Sequence, residues 1–207
     1  MTDYFALLKE PRRPWLDTDA LKTRFLALSA EVHPDRVHAG SAAEKEAAHE
    51  HFALLNAAYN CLRDPKTRLL HLLELESGGR PKDVQRIPPG TMELFVEVGQ
   101  LCRQADAFLA ERAKVTAPML RVGLFEKGME WTDKLNDLQR RVNARREGLL
   151  AEVQQLNAIW AGAPEAGSAA RRQALPLERL ELVYRVLSYI SRWSEQIQER
   201  LVQLAMD

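Results

Sequence analysis

A chain of 207 residues is long enough for one large domain or two small ones. Its 29 Lys and Arg balance 29 Asp and Glu, so the net charge is zero, which argues against a general nucleic-acid binder working through a basic surface. Helix formers are many, aromatics are few, no run alternates with period two, and no apolar run reaches membrane-spanning length. The expectation is an all-α protein with neither nucleic acid nor membrane as a partner.

The N-terminus carries Asp3 and lacks a basic region ahead of an apolar core, so it does not read as a signal peptide, and the expected location is cytoplasmic. Asp17 or Thr18 can cap a helix with an apolar stripe at Leu21, Phe25, Leu28 and Val32. Then comes His33-Pro34-Asp35, in a loop running from His33 to about Gly40. Pro34 moves His33 out of the helical region and stiffens the turn. Ser41-Ala42-Ala43-Glu44 is a capping box opening a helix whose stripe is Phe52, Leu55, Tyr59 and Leu62. A short loop between two such helices makes them antiparallel, with the tripeptide at the exposed tip of the hairpin. An imidazole and a carboxylate on a stiff turn make a recognition device with little freedom left to lose on binding.

Asp64-Pro65 ends that helix, and Arg68 to Leu75 reads as a short leucine-rich helix. Glu76 to Gly90 holds Ser77-Gly78-Gly79, Pro81 and Pro88-Pro89-Gly90, which is turn and linker composition. The expected division is therefore residues 1–76, a linker at 77–90, and a helical domain at 91–207.

Residues 91–113 carry one stripe at Leu94, Val98, Leu101, Ala105 and Phe108 and another at Met92, Phe95, Gly99 and Cys102. Two stripes imply burial on both sides or a docking face. Pro118 suits the first turn of the next helix, which is expected to break near Gly123 and Gly128 and continue through Trp131 to Trp160. Residues 161–176 read as a flexible connection. From Leu177 a heptad seam runs through Leu180, Val183, Leu187, Ile190, Ser194, Ile197, Leu201 and Leu204. A homodimeric coiled coil would explain the seam; an intramolecular three-helix bundle explains it with the complementary stripes at hand, and is the favoured reading.

Five histidines and two cysteines raise the question of zinc. No Cys-x-x-Cys or His-x-x-x-His spacing occurs, so no metal is expected and surface histidines are the default. Cys61 and Cys102 read as buried thiols in a reducing compartment. No nucleophile–base pair, phosphate-binding glycine loop or carboxylate pair stands out, so no catalysis and no cofactor are expected.

Several of these residues together resemble the J domain, the module that stimulates the ATPase of 70-kDa heat-shock chaperones. Asp3-Tyr4-Phe5 matches its short first helix. Phe25 and Leu28 match its core positions ahead of His33-Pro34-Asp35. Leu55-Asn56-Ala57-Ala58-Tyr59 and Leu62-Arg63-Asp64-Pro65 match its third helix and that helix's end. Val32 stands where the family usually has tyrosine. The leucine-rich fourth helix, the linker and the bundle resemble the HscB type, the co-chaperone of iron–sulfur cluster assembly, as does Glu195-Gln196-Ile197-Gln198-Glu199-Arg200-Leu201 near the C-terminus.

The resemblance implies a fold with an N-terminal J domain, a helical hairpin with flanking short helices, and a C-terminal three-helix bundle. It implies a DnaK/HscA-type chaperone contacted through His33, Pro34, Asp35, Arg36, Lys22 and Arg24. It implies an IscU-type scaffold protein as the client, held on Thr91, Met92, Phe95, Val96 and Val186. The family's acidic neighbours on that face are replaced here by Val96, Gly99 and Arg103. Two alternatives stay open: the same architecture serving another client, or an assembly protein whose J domain is degenerate.

Overall fold

The computed structural model describes residues 1–33, 40–81, 87–88, 90–115 and 118–206, with the side chains of 118–121 left aside. Among the described residues all regular structure is helical: α1 (Tyr4–Leu7), α2 (Thr18–Glu31), α3 (Ala42–Arg63), α4 (Pro65–Ser77), α5 (Met92–Arg112), α6 (Pro118–Ala161), α7 (Ala169–Ala174) and α8 (Leu177–Ala205). None of these helices is long and apolar enough to cross a membrane. The chain divides into two compact units. One is Met1–Asp83 with Leu150–Tyr184, the other Val84–Leu149 with Arg185–Asp207.

In the first unit the caps are local and conform to the sequence. Asp3 accepts from the amides of Phe5 and Ala6, and Asp17 from that of Ala20 at 2.8 Å. Ser41 and Glu44 close the capping box on α3. Asp64 caps α4 through the Thr67 amide at 2.9 Å, with Pro65 in the first turn where its missing N–H costs nothing. Gly78 ends α4 at φ 75°, a left-handed position that glycine takes without strain, and its N–H reaches Glu74 O.

The hairpin of α2 and α3 packs Leu21 against a core holding Leu55, Ala58 and Leu62, all 2 % exposed or less. Phe25 stacks on Tyr59 at 4.3 Å, and Arg63 lies over the same Tyr59 ring. Phe5, Leu8, Leu69, Leu72 and Leu73 complete the core. Each such leucine contributes about 1.5–3 kcal/mol by leaving water.

Polar groups sit inside as well, Arg68 and His71 among them. Arg68, 2 % exposed, donates to Pro14 O and Leu62 O. His71 was expected at the surface but is 5 % exposed; it stacks on Tyr4 and accepts from the Tyr4 amide at 3.1 Å. Helix α1 is a single turn, so an outside acceptor for its first amide has real value.

Leu150–Tyr184 belongs to this unit. The connection at 161–176, expected to be flexible, holds α7 and a buried anchor: Arg171 pairs with Glu76 at 2.8 Å. Asn157 accepts from the Trp15 amide, and Arg179 pairs with Glu152.

The second unit is a three-helix bundle of α5, the earlier part of α6 and the later part of α8. Its core holds Val98, Ala105, Leu135, Leu138, Val142, Ile190 and Ile197, each 1 % exposed or less. Ion pairs Arg141–Glu97 and Arg200–Asp106 and a Gln139–Ser194 hydrogen bond cross between the helices. The α8 seam at Leu187, Ile190, Ile197 and Leu204 is buried within the chain, so it is not left for a coiled-coil partner. Helix α6 does not break near Gly123 or Gly128. Gly128 is buried, and a Cβ there would meet the Phe108 ring at 4.0 Å. Phe108 in turn packs on Trp131, and the helix runs on through this buried position despite the ~1 kcal/mol that glycine costs it.

Candidate functional site

Two surfaces carry the expected site residues, one in each unit. In the first, α2 ends at Glu31 with Val32 as its C-cap, and His33 follows, exposed. Its ring meets Phe52 of α3 edge-on, centroids 5.4 Å apart. The imidazole is thus steadied by the partner helix while staying open to solvent. Pro34, Asp35 and Arg36, the rest of the expected chaperone contact, lie outside the described residues.

Lys22 and Arg24 are both exposed on α2, but two residues apart they lie on different flanks of the helix. Arg24 donates to the Lys9 carbonyl and pairs with Glu10 at 3.3 Å. Burial pushes the Glu10 carboxyl up and the Arg24 charge pulls it back. Lys22 has no such tether among the described residues. Leu26, one turn on from Lys22, is 55 % exposed. It was missed in the sequence; its signal is a leucine off the 21–25–28–32 stripe.

In the second unit, Met92, Phe95 and Val96 are 54, 40 and 44 % exposed on α5, as a docking face requires. The other two expected residues do not join them. Thr91 is 1 % exposed, because its hydroxyl turns inward to donate to Pro88 O at 2.6 Å. Val186 is 2 % exposed, because its position on α8 faces the core. Neither offers a side chain to a partner, and the expectation for these two is corrected.

Phe95 and Val96 instead border a groove of about 390 Å³ between α5 and α8, completed by Gly99, Arg103, Tyr189, Arg192 and Trp193. Phe95 stands edge-on to Tyr189, and Tyr189 leans on Trp193. Tyr189, Arg192 and Trp193 were missed; their signal is an aromatic pair four residues apart on one face of α8, beside the heptad seam. A second apolar patch was also missed. Val122, Phe125 and Met129 are 67, 67 and 55 % exposed along one face of α6.

Burial pushes the Cys61 thiol up to about 11 and raises that of Cys102, so neither is a thiolate nucleophile at neutral pH. Among the described residues no group of three or more His, Cys, Asp or Glu side chains is placed to hold a metal ion.

Comparison with known proteins agrees with this layout. Residues 3–71 match the family described as the DnaJ domain. The fold resembles the crystal structure of the human co-chaperone protein HscB, at 21 % identity and a TM-score of 0.62, over 96 % of this chain and 81 % of that one. It also resembles the chaperone HscB from Vibrio cholerae, at 21 % identity and a TM-score of 0.55, over 96 % of both chains.

Proposed function

We propose that the chain activates the ATPase of a DnaK/HscA-type 70-kDa chaperone and delivers an IscU-type iron–sulfur scaffold to it, a reading supported by the DnaJ-domain match at residues 3–71 and by the all-α fold shared with the HscB co-chaperones. The observation that carries this reading is His33. It sits at the end of α2, exposed, steadied edge-on by Phe52, on a hairpin whose second helix is held by a full capping box. A side chain displayed this way loses little entropy when a partner engages it.

The exposed apolar residues Met92, Phe95 and Val96 support a client site in the second unit. Carrying both contacts on one chain raises the effective concentration of client at the chaperone. The chain is then an activator with no catalytic step of its own, and two free thiols suit a reducing compartment such as the cytoplasm.

Steady-state ATP hydrolysis by a DnaK/HscA-type chaperone, measured with and without this protein and then with added scaffold, tests the proposal. Stimulation by the protein, raised further by scaffold, is expected. No stimulation refutes the co-chaperone reading. A second reading, the same architecture serving another client, is favoured by Arg103 and Gly99 at places where the HscB resemblance calls for acidic residues. Stimulation without scaffold binding would select it.

A further inference from the structure

The groove between α5 and α8 is apolar at its floor and cationic at its lips. Trp193, 3 % exposed, and Val98 form the floor, and Phe95 and Val96 open to solvent beside it. Arg103 comes from α5 and Arg192 from α8, both exposed, and no carboxylate lines the groove. Two other arginines of this unit are paired: Arg141 with Glu97 and Arg200 with Asp106. Arg103 and Arg192 have no ion-pair or hydrogen-bond partner among the described residues. Arg103 folds back along α5 over Gly99, where a Cβ would stand 3.4 Å from the guanidinium, an ordinary contact.

We infer that this groove takes a protein segment with an apolar anchor flanked by carboxylates. The inference rests on the client-docking reading above and supplies the chemistry of the client. Guanidinium groups bind carboxylates through two parallel N–H···O bonds, and their planar, weakly hydrated faces suit an aromatic setting. An apolar side chain against Phe95 and Trp193 would supply affinity, and the two arginines would choose the partner and speed its arrival. The exposed phenylalanine and valine point to a protein rather than a phosphate polymer, as does the zero net charge of the chain. Charge selection here runs opposite to that of a docking face bearing glutamates. A scaffold evolved to meet carboxylates would be rejected, and one carrying Asp or Glu at the contact accepted.

The test uses the full chain and two synthetic twelve-residue peptides with the same central leucine pair. One is flanked by Asp and Glu, the other by Asn and Gln. Titration at low salt, followed by the Tyr189 and Trp193 ring resonances, should show the acidic peptide binding at least tenfold more tightly. Arg103→Gln with Arg192→Gln should remove that tenfold preference with an unchanged melting temperature, and Arg192→Gln alone should remove part of it. Equal affinity for the two peptides, or acidic-peptide shifts lying away from the groove, overturns the inference. An IscU-type scaffold is titrated alongside. A retained acidic preference without scaffold binding upholds the groove chemistry and rejects the scaffold as client. Scaffold binding that ignores both arginine changes but is lost with Phe95→Ala overturns the charge selection and keeps the docking reading.

Discussion

Arg171 and Glu76, 95 residues apart, form a buried ion pair with both carboxylate oxygens engaged: the Arg171 Nε donates to each at 2.9–3.0 Å and Nη2 to one at 2.8 Å. Both residues are less than a tenth exposed. Nη1 donates to Pro164 O and Nη2 also to Arg12 O. Buried paired charges are costly to separate, because removing one partner strands the other in low dielectric.

Arg171→Met or Glu76→Leu alone should therefore cost about 3–5 kcal/mol, read from urea denaturation. The double change should cost less than either single one, since no unpaired charge remains. Additive losses would mean that the pair has no coupling.

Residues 1–76 should fold alone, with a cooperative thermal transition by circular dichroism, because α1 to α4 share a core of fully buried leucines. The melting temperature should lie below that of the full chain. The fragment loses Asn157 from the Trp15 amide and Arg171 from Glu76. A gradual, non-cooperative melt would reject the division at residue 76.

His33→Gln should abolish stimulation of the chaperone ATPase while leaving the circular dichroism spectrum and melting temperature nearly unchanged. The side chain is exposed and stands edge-on to Phe52, so its change removes little from the core. Equal stimulation by mutant and wild type would sink the role given to this residue.

Phe95→Ala should weaken client capture by about 1–3 kcal/mol, one to two powers of ten, with little change in melting temperature. Phe95 is 40 % exposed, so the larger penalty of a core truncation does not apply. Val186→Ala should do the reverse, costing about 2 kcal/mol of stability while client affinity holds. Calorimetric titration paired with thermal melts separates the two.

His71 makes the first unit sensitive to acid. Burial lowers its pKa below 6.5, the Asp3 and Glu74 charges oppose that shift, and Arg12 adds to it. The neutral ring is the form that accepts from the Tyr4 amide. A depressed folded pKa means that the stabilisation is complete above the unfolded value and is lost as pH falls through the folded one. Wild type should lose melting temperature between pH 7 and pH 5 faster than His71→Gln. Parallel pH profiles for the two proteins would reject the assignment.

The features legible in the sequence are those decided within a few residues. Asp17, the Ser41–Glu44 box and Asp64-Pro65 set helix ends through their own backbone neighbours, and the stripes at Leu21 and Leu55 set which faces meet. His33 at the end of α2 follows from the proline after it. Tertiary structure decided what depends on partners far along the chain. Gly128 stays helical at a buried place beside Phe108. His71 goes inside because α1 needs an acceptor. Thr91 and Val186 turn inward, while Tyr189 and Arg192 come to line a groove with Phe95. Periodicity says that a helix has an apolar face; only the packing of three helices decides which part of that face is left over for a partner, because burial is a property of the assembled core and not of any one segment.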